Sequence, residues 1–327
     1  MKLVNRKLIA LAGVVMSIGI SANSAQSQTF PERVIRLIVP FSAGGGADAV
    51  ARIVANEAAK SLGHQIVVDN RGGGGGIIGA DLASNAESDG YTLLFGQSGP
   101  ISINPSIYKS LPYDSITSFD PITMTTSYPY VMVVNSNSSA QTLEEFVDLA
   151  KSDPNSLTFG TSGVGGSNHL VSEYFSKIAG IKMIHVPYKG TGPAVTALLG
   201  GEIDMVFSDP LSANAHVASG ALRPLAVTGL TENSGYAGVP TVDATFPGFE
   251  ALAWHGVLAP AGTPEVIIDK LFEAFNAVLK DPVITDRLKG LGVDTVVDFT
   301  PKEFEEYIKL DVERWKSVAV DAGIEQR

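Results

Sequence analysis

The sequence predicts an α/β protein, mainly parallel sheets with flanking helices, behind a short export leader. Three observations carry this. Apolar β-type runs alternate with helix-period segments from Phe30 onward; glycine loops fall at strand-to-helix junctions; and the N-terminus has the zoning of a secretory signal.

The leader comes first. Lys2, Arg6 and Lys7 precede an apolar run from Leu8 to Ile20, and small residues follow from Ser21 to Ser27. The run is short for a membrane span, which takes about 20 residues, so residues 1–25 read as a cleaved signal peptide, with an uncleaved anchor as the alternative. Next come strand Val34–Val39, turn Pro40–Gly46, and helix Ala47–Leu62 with Val50, Ile53, Val54, Ala58 and Leu62 at helical spacing. Strand Gln65–Val68, glycine loop Asp69–Gly76, helix Ile77–Asn85 and strand Tyr91–Phe95 complete the first stretch. The middle repeats the alternation: strand Tyr130–Val134, helix Leu143–Ser152 capped by Thr142, strand Leu157–Gly160, helix Ser167–Ala179 and strand Lys182–Val186. Helix Pro193–Leu199 and strands Ile203–Phe207 and Leu222–Val227 follow. After strand Gly256–Ala259 the pairs Thr263-Pro264, Asp281-Pro282 and Thr300-Pro301 each announce a helix. No fixed short repeat is present, which excludes solenoids and propellers.

Composition removes several function classes. The 327 residues carry 34 acidic and 23 basic side chains, a net charge of -11; losing the three basic residues of the leader takes -11 to -14. With no long Lys/Arg run, nucleic acid is not an expected partner. The absence of cysteine excludes disulfides, thiolate metal sites and thiol nucleophiles. There is no G-x-S-x-G elbow and no G-x-x-x-x-G-K-[ST] loop. His64, His169, His185, His216 and His255 are scattered without H-E-x-x-H spacing, so neither metal nor cofactor is expected. A secreted α/β hydrolase is the rival reading, disfavoured because its nucleophile is missing.

The glycine loops are the sharpest local features. Phe41-Ser42-Ala43-Gly44-Gly45-Gly46-Ala47-Asp48 lies between a strand and a helix, where exposed N–H groups and the helix dipole make an anion site. Asp48 suits the first helical turn, as a ligand contact or as a plain cap. Gly44-x-Gly46-x-x-Ala49 with Asp69 downstream also fits a dinucleotide fingerprint. The four residues from Pro40 to Ala43 separate strand from glycines, and the export signal removes the nicotinamide pool, so that reading is set aside. Gly72–Gly76 is a ligand-lining loop or a connector. Thr161–Asn168 again joins strand to helix, with Ser167 as its expected N-cap. Asp204 and Asp209 flank a strand, and Asp209 is placed to reach a cleft at its carboxyl end.

Further stretches make the chain recognisable: Val39-Pro40-Phe41 with Gly44-Gly45 and Asp48, Gly75-Gly76-Ile77-Ile78-Gly79-Ala80, Asp89-Gly90-Tyr91-Thr92-Leu93-Leu94, Asn104-Pro105, and Leu111-Pro112-Tyr113-Asp114. Later come Val186-Pro187-Tyr188-Lys189-Gly190, Gly200-Gly201-Glu202-Ile203-Asp204-Met205 and Ala259-Pro260-Ala261-Gly262-Thr263-Pro264. In this order they resemble the Bug-type substrate-binding proteins of tripartite tricarboxylate transporters. The resemblance implies a periplasmic, two-domain flytrap, each domain a mainly parallel sheet with flanking helices. Domain 1 would be residues 30–127 plus 253–327 and domain 2 residues 128–252, with crossings near Thr125–Tyr130 and Glu250–His255. It implies a receptor delivering a small organic carboxylate to membrane transporter subunits, or presenting it to a signalling partner. Ligand contacts carried over by motif are Phe41, Ser42, Ala43, Gly44, Gly45 and Asp48 on one side, and Ser162, Gly163, Val164 and Gly165 on the other, with Asp209 added. The unbroken Gly72–Gly76 departs from the family, which usually has Pro near its start.

Aromatic residues near the expected cleft narrow the ligand. Phe41 and Tyr128 are placed to stack on it, whereas Trp254 is expected to pack the hinge and Tyr130 the core of its strand. The expected ligand is a mono- or dicarboxylate, an aromatic acid being favoured over citrate, whose three charges would want more basic residues.

Overall fold

The apolar runs become strands where they can bury both faces, and helices flank them where the apolar spacing turns to 3.6. The structure, a computed structural model, describes residues 30–327 except Ser234, Leu291, Ala322, Glu325 and Arg327. The expected leader, residues 1–25, lies outside the described residues.

In chain order the elements are β1 (Ile35–Val39), α1 (Gly46–Leu62), β2 (Ile66–Asn70), α2 (Ile77–Ser84), β3 (Thr92–Gln97), a π turn at Gly99–Ile103, α3 (Asn104–Ile107), β4 (Phe119–Pro129) and β5 (Val131–Asn135). Then follow α4 (Leu143–Ser152), β6 (Thr158–Thr161), α5 (Ser167–Ala179), β7 (Ile184–Pro187), α6 (Thr191–Leu199), β8 (Met205–Ser208), α7 (Pro210–Ala218) and β9 (Leu222–Val227). The chain ends through α8 (Val242–Thr245), β10 (Leu252–Pro260), α9 (Glu265–Leu279), α10 (Pro282–Lys289), β11 (Asp294–Thr295) and α11 (Pro301–Asp321).

Two sheets result. One has the order β11-β4-β10-β3-β1-β2, the other β7-β6-β8-β5-β9. The α/β class stands, but each sheet is mixed rather than mainly parallel. β1 pairs parallel with β2 and β3, while β10 pairs antiparallel with β3 and β4. In the second sheet β6 pairs parallel with β7 and β8, and β5 antiparallel with β8 and β9. The antiparallel members are the strands that carry the chain from one sheet to the other and back: β4 leads straight into β5, and β10 returns alongside β4.

β4 is an eleven-residue strand that the sequence did not announce, since Thr123, Thr125, Thr126 and Ser127 break any apolar run. It forms because β10 and β11 pair with its two edges, and Thr123 and Thr125 donate their hydroxyls to the Phe299 and His255 carbonyls at 2.9 and 3.0 Å. Helix α7 was also unannounced, although its start is locally encoded: Asp209 accepts from the Ser212 N–H at 2.8 Å and Pro210 opens the first turn. The Pro punctuation holds at Asp281-Pro282, where Asp281 caps α10. It also holds at Thr300, which forms a reciprocal capping box with Glu303. At Thr263-Pro264 the helix follows as announced, over Glu265–Leu279, but the cap differs: Pro264 itself occupies the N-cap position, and the Thr263 hydroxyl turns back to the Pro260 carbonyl at 2.7 Å.

The second sheet has a core on each face. Phe146, Phe159, Phe175 and Phe207 fill one under α4 and α5, and Val195, Leu198, Val206 and Ala213 fill the other under α6 and α7. Helix α11 serves both sheets. Its Phe304 and Ile308 join the core of the first sheet with Met124, Trp254 and Leu258, and its Trp315 and Ala319 join the core that contains Tyr128, Ala253 and Phe249. Each buried aromatic of this kind contributes about 1.5–3 kcal/mol of transfer free energy. No helix among the described residues is long and apolar enough to cross a membrane.

Candidate functional site

Three strand-to-helix junctions converge on one cavity. α1, α5 and α6 each begin after a glycine (Gly45, Gly166 and Gly190), and none of these caps supplies a side-chain acceptor. Apart from the Gly46 N–H, which Ser212 accepts, no side-chain cap of their own consumes their first-turn N–H groups, and three positive dipole ends address the same space. That space is about 20 Å³ and is lined by Phe41, Ser42, Gly45, Gly46 and Ala47 at α1, by Ser162, Ser167 and Asn168 at α5, and by Thr191 at α6. Gln97, Tyr128, Tyr130 and Asp209 complete the wall. The volume suits about one water rather than an organic acid, because the two sides lie in contact. Ser42 donates its N–H and hydroxyl to the Lys189 carbonyl at 3.1 and 2.9 Å, Gly46 donates to the Ser212 hydroxyl at 2.9 Å, and Tyr108 donates to the Val164 carbonyl at 3.0 Å.

Two glycines are required by this closeness. A Cβ on Gly46 would stand 1.9 Å from Asp209 Oδ1. One on Gly75, whose φ of +62° already disfavours a side chain, would stand 2.2 Å from the Val164 carbonyl.

The charged groups around the cavity are few. Asp209, 5% exposed, caps α7 with both carboxylate oxygens on Ser212, at 2.8 and 2.9 Å. Burial pushes its carboxyl above the usual carboxylate range, against the opposing bonds from Ser212 and Thr191. Asp48 behaves the other way. Burial raises it, but the Arg52 guanidinium, the Gly44 N–H and the Asn70 amide together outweigh that and hold it below its ordinary value. Behind the cavity His255 touches Thr126 Oγ1 with Nδ1 at 2.8 Å and the Tyr128 hydroxyl with Nε2 at 3.2 Å. Burial pushes its pKa down to about 3, so the ring is neutral. His169 and His185, far apart in the sequence, stack at 4.2 Å beneath the Thr161–Gly166 loop. No group of three or more potential metal-ligating acids or histidines occurs among the described residues.

The expected contacts divide. Phe41, Ser42, Gly45, Ser162, Tyr128 and Asp209 line the cavity. Ala43 and Gly44 instead border an open surface depression with Tyr188 and Gly192. Asp48 lies below the loop, accepting from the Gly44 N–H at 3.1 Å and pairing with Arg52 at 2.9 Å. Gly163, Val164 and Gly165 face Gly75, Asn104 and Tyr108 across the closed contact rather than the cavity. Ser167 is not the N-cap of α5; Gly166 is, and Asn168 does the pinning, accepting from the Ser162 N–H and hydroxyl at 3.0 and 2.9 Å. Trp254 is away from the cavity, donating to Asp311 at 2.8 Å, whereas Tyr130, expected in the core of its strand, lines it. Asp69, the acidic residue of the dinucleotide pattern, is taken by Arg36 and Arg71 at 2.5 and 3.0 Å. Asp204 accepts from Thr158 at 2.7 Å, at the far end of β8 from Asp209.

Sequence reasoning missed Gly46, Ala47, Gln97, Asn168 and Thr191. Gln97 had a signal: it ends β3, beside β1, on the edge where the carboxyl ends of parallel strands meet ligands. Thr191 follows Tyr188-Lys189-Gly190, a third strand–glycine–helix junction like the two that were weighed.

Comparison with known proteins identifies the family and the fold. Residues 50–324 match the family model described as tripartite tricarboxylate transporter family receptor. The solved structure of the periplasmic binding protein BugD is similar, with a TM-score of 0.88 and 33% identity, covering 91% of this chain and 100% of that one. R. palustris Rpa4515 with adipate gives a TM-score of 0.88 at 30% identity, over 91% and 100% of the two chains. MatC (Rpa3494) from Rhodopseudomonas palustris with bound malate gives 0.85 at 29% identity, over 88% and 99%.

Proposed function

Because the chain belongs to the tripartite tricarboxylate transporter receptor family, we propose that it is an exported receptor that closes on a small organic dicarboxylate and delivers it to a membrane transporter. The observation that carries the reading is the convergence of three glycine-capped helix starts on one cavity that no lysine or arginine lines among the described residues. Backbone N–H groups hold one carboxylate there through hydrogen bonds and dipole charge, as helix N-termini hold anions generally. The adipate and malate in two similar proteins support a linear dicarboxylate over citrate and over the aromatic acid that Phe41, Tyr128 and Tyr130 would also suit.

The two sheets act as lobes, residues 30–127 with 253–327 and residues 128–252, that part to admit the ligand and close over it. A cavity of about 20 Å³, too small for an organic acid, supports such parting. The segments β4–β5 and β9–β10 are the hinge.

Titration calorimetry with adipate, succinate, malate, benzoate and citrate tests the ligand class. A linear dicarboxylate is expected to bind in preference to citrate; binding of citrate or a sugar alone overturns the reading. Delivery is tested by uptake of the bound acid in cells lacking this chain. Uptake at the normal rate, with a signalling response lost, would assign the receptor to a sensor instead.

A further inference from the structure

Gln97 has no role in the reading above, and Tyr130 only as a wall for the aromatic acid set aside there. Both line the cavity and both are more than nine-tenths buried, at 7% and 2% exposure; Gln97 Nε2 has no hydrogen-bond partner among the described residues, and the Tyr130 hydroxyl has the Ser167 and Ser98 hydroxyls beside it. Burying a donor without a partner is costly, and native proteins keep such groups where something else satisfies them. Both are also rigidly placed. The Gln97 backbone sits in register with His255 in β10, and the Tyr130 ring packs edge-on to Tyr128 at 5.9 Å, with its N–H donating to Thr228 Oγ1 at 2.8 Å.

We propose that Gln97 and Tyr130 form the subsite for the ligand's second carboxylate. The inference rests on the carboxylate-receptor reading and deepens it. Gln97 Nε2 carries two N–H donors and Tyr130 one O–H donor, so the group they meet must be an acceptor, and a carboxylate has two oxygens to offer. Burial raises the Tyr130 pKa, which keeps the phenol protonated and donating. Asp209 is the only charged side chain lining the cavity among the described residues, and no cation assists. Recognition of the second carboxylate is therefore by neutral donors in fixed positions. A monocarboxylate of the same length leaves these donors unpaired and is discriminated against for that reason.

The test is titration calorimetry of wild type, Gln97→Leu and Tyr130→Phe with two matched pairs, succinate against butanoate and adipate against hexanoate. Wild type is expected to favour the diacid of at least one pair. Each substitution lowers affinity for that diacid about tenfold, the effect of one lost hydrogen bond to a charged group, and leaves its monoacid partner within about twofold. Tyr130→Phe removes a single oxygen, so it keeps the test available if Gln97→Leu does not fold. An unchanged diacid-to-monoacid ratio in both variants, or equal weakening of both acids, overturns the subsite while leaving the receptor reading standing. Failure of every acid to bind wild type overturns the receptor reading itself, and the subsite with it.

Discussion

The first and third glycine loops solve one problem with different chemistry. Each joins a parallel strand to a helix whose N-cap glycine supplies no side-chain oxygen, and each is pinned by a residue of the first helical turn reaching back into the loop. In the first loop that residue is charged: Asp48 holds the Gly44 N–H and leans on the half-exposed Arg52. In the third it is neutral: Asn168, 1% exposed, holds both the N–H and the hydroxyl of Ser162 and donates to the Phe207 carbonyl at 3.2 Å. The difference follows from surroundings. A carboxylate is tolerated where a guanidinium and solvent lie within reach, whereas inside the second lobe an amide satisfies the same loop without a charge to desolvate. The carboxylate site proposed above would gain from keeping ionised carboxylates few. Where it does hold one, at Asp209, burial pushes the group toward its neutral form.

The comparison breaks most visibly at the contact between the first loop and the second lobe. Gly46→Ala sets a methyl against Asp209 Oδ1, an atom that cannot swing away because Ser212 anchors it. Overpacking of this kind costs about 1–3 kcal/mol, so ligand affinity is expected to fall about five- to 150-fold. If the proposed closure is what brings the two groups together, the thermal midpoint without ligand should hold; a large drop there, with affinity intact, would show that closure is not what Gly46 serves.

The two pins differ next. Asn168→Ala leaves the buried Ser162 groups and the Phe207 carbonyl without partners and is expected to cost about 1–3 kcal/mol. Asp48→Ala removes a charge whose counter-ion is half solvated and should cost under about 1 kcal/mol. Denaturant unfolding of both variants checks the order, and equal losses would remove the distinction drawn between charged and neutral pinning.

The smallest effect is expected at Asp209. Burial raises its pKa in the closed cleft, and an incoming carboxylate favours the neutral form further, so binding takes up protons. By linkage, affinity then declines as pH rises above the ligand's own carboxyl range. Asp209→Asn should flatten that slope. Calorimetry in buffers of different ionisation enthalpy reads the uptake directly, and identical slopes in wild type and variant would contradict it.

Much of this architecture was legible along the chain because it is written locally. The alternation of β-type runs with helices, Thr142 and Asp281 as caps, and the glycine-opened helices α1 and α5 all follow from side-chain periodicity and first-turn hydrogen bonding within about five residues. The short motifs also pointed to the family that the comparisons identify. Tertiary structure decided what depends on residues far apart. Ser42 and Lys189, separated by 147 positions, bring the first loop against the second lobe, and that approach determines which loop residues line the cavity and which form the contact around it. β4, polar in sequence, is a strand only because β10 and β11 pair with it. Gln97 reads as an ordinary residue at the edge of a strand, since a hydrogen-bonding deficit exists only once folding has removed water and left the donor unpaired. A sequence records which groups are able to bond, and only the folded chain determines which of them are left without a partner.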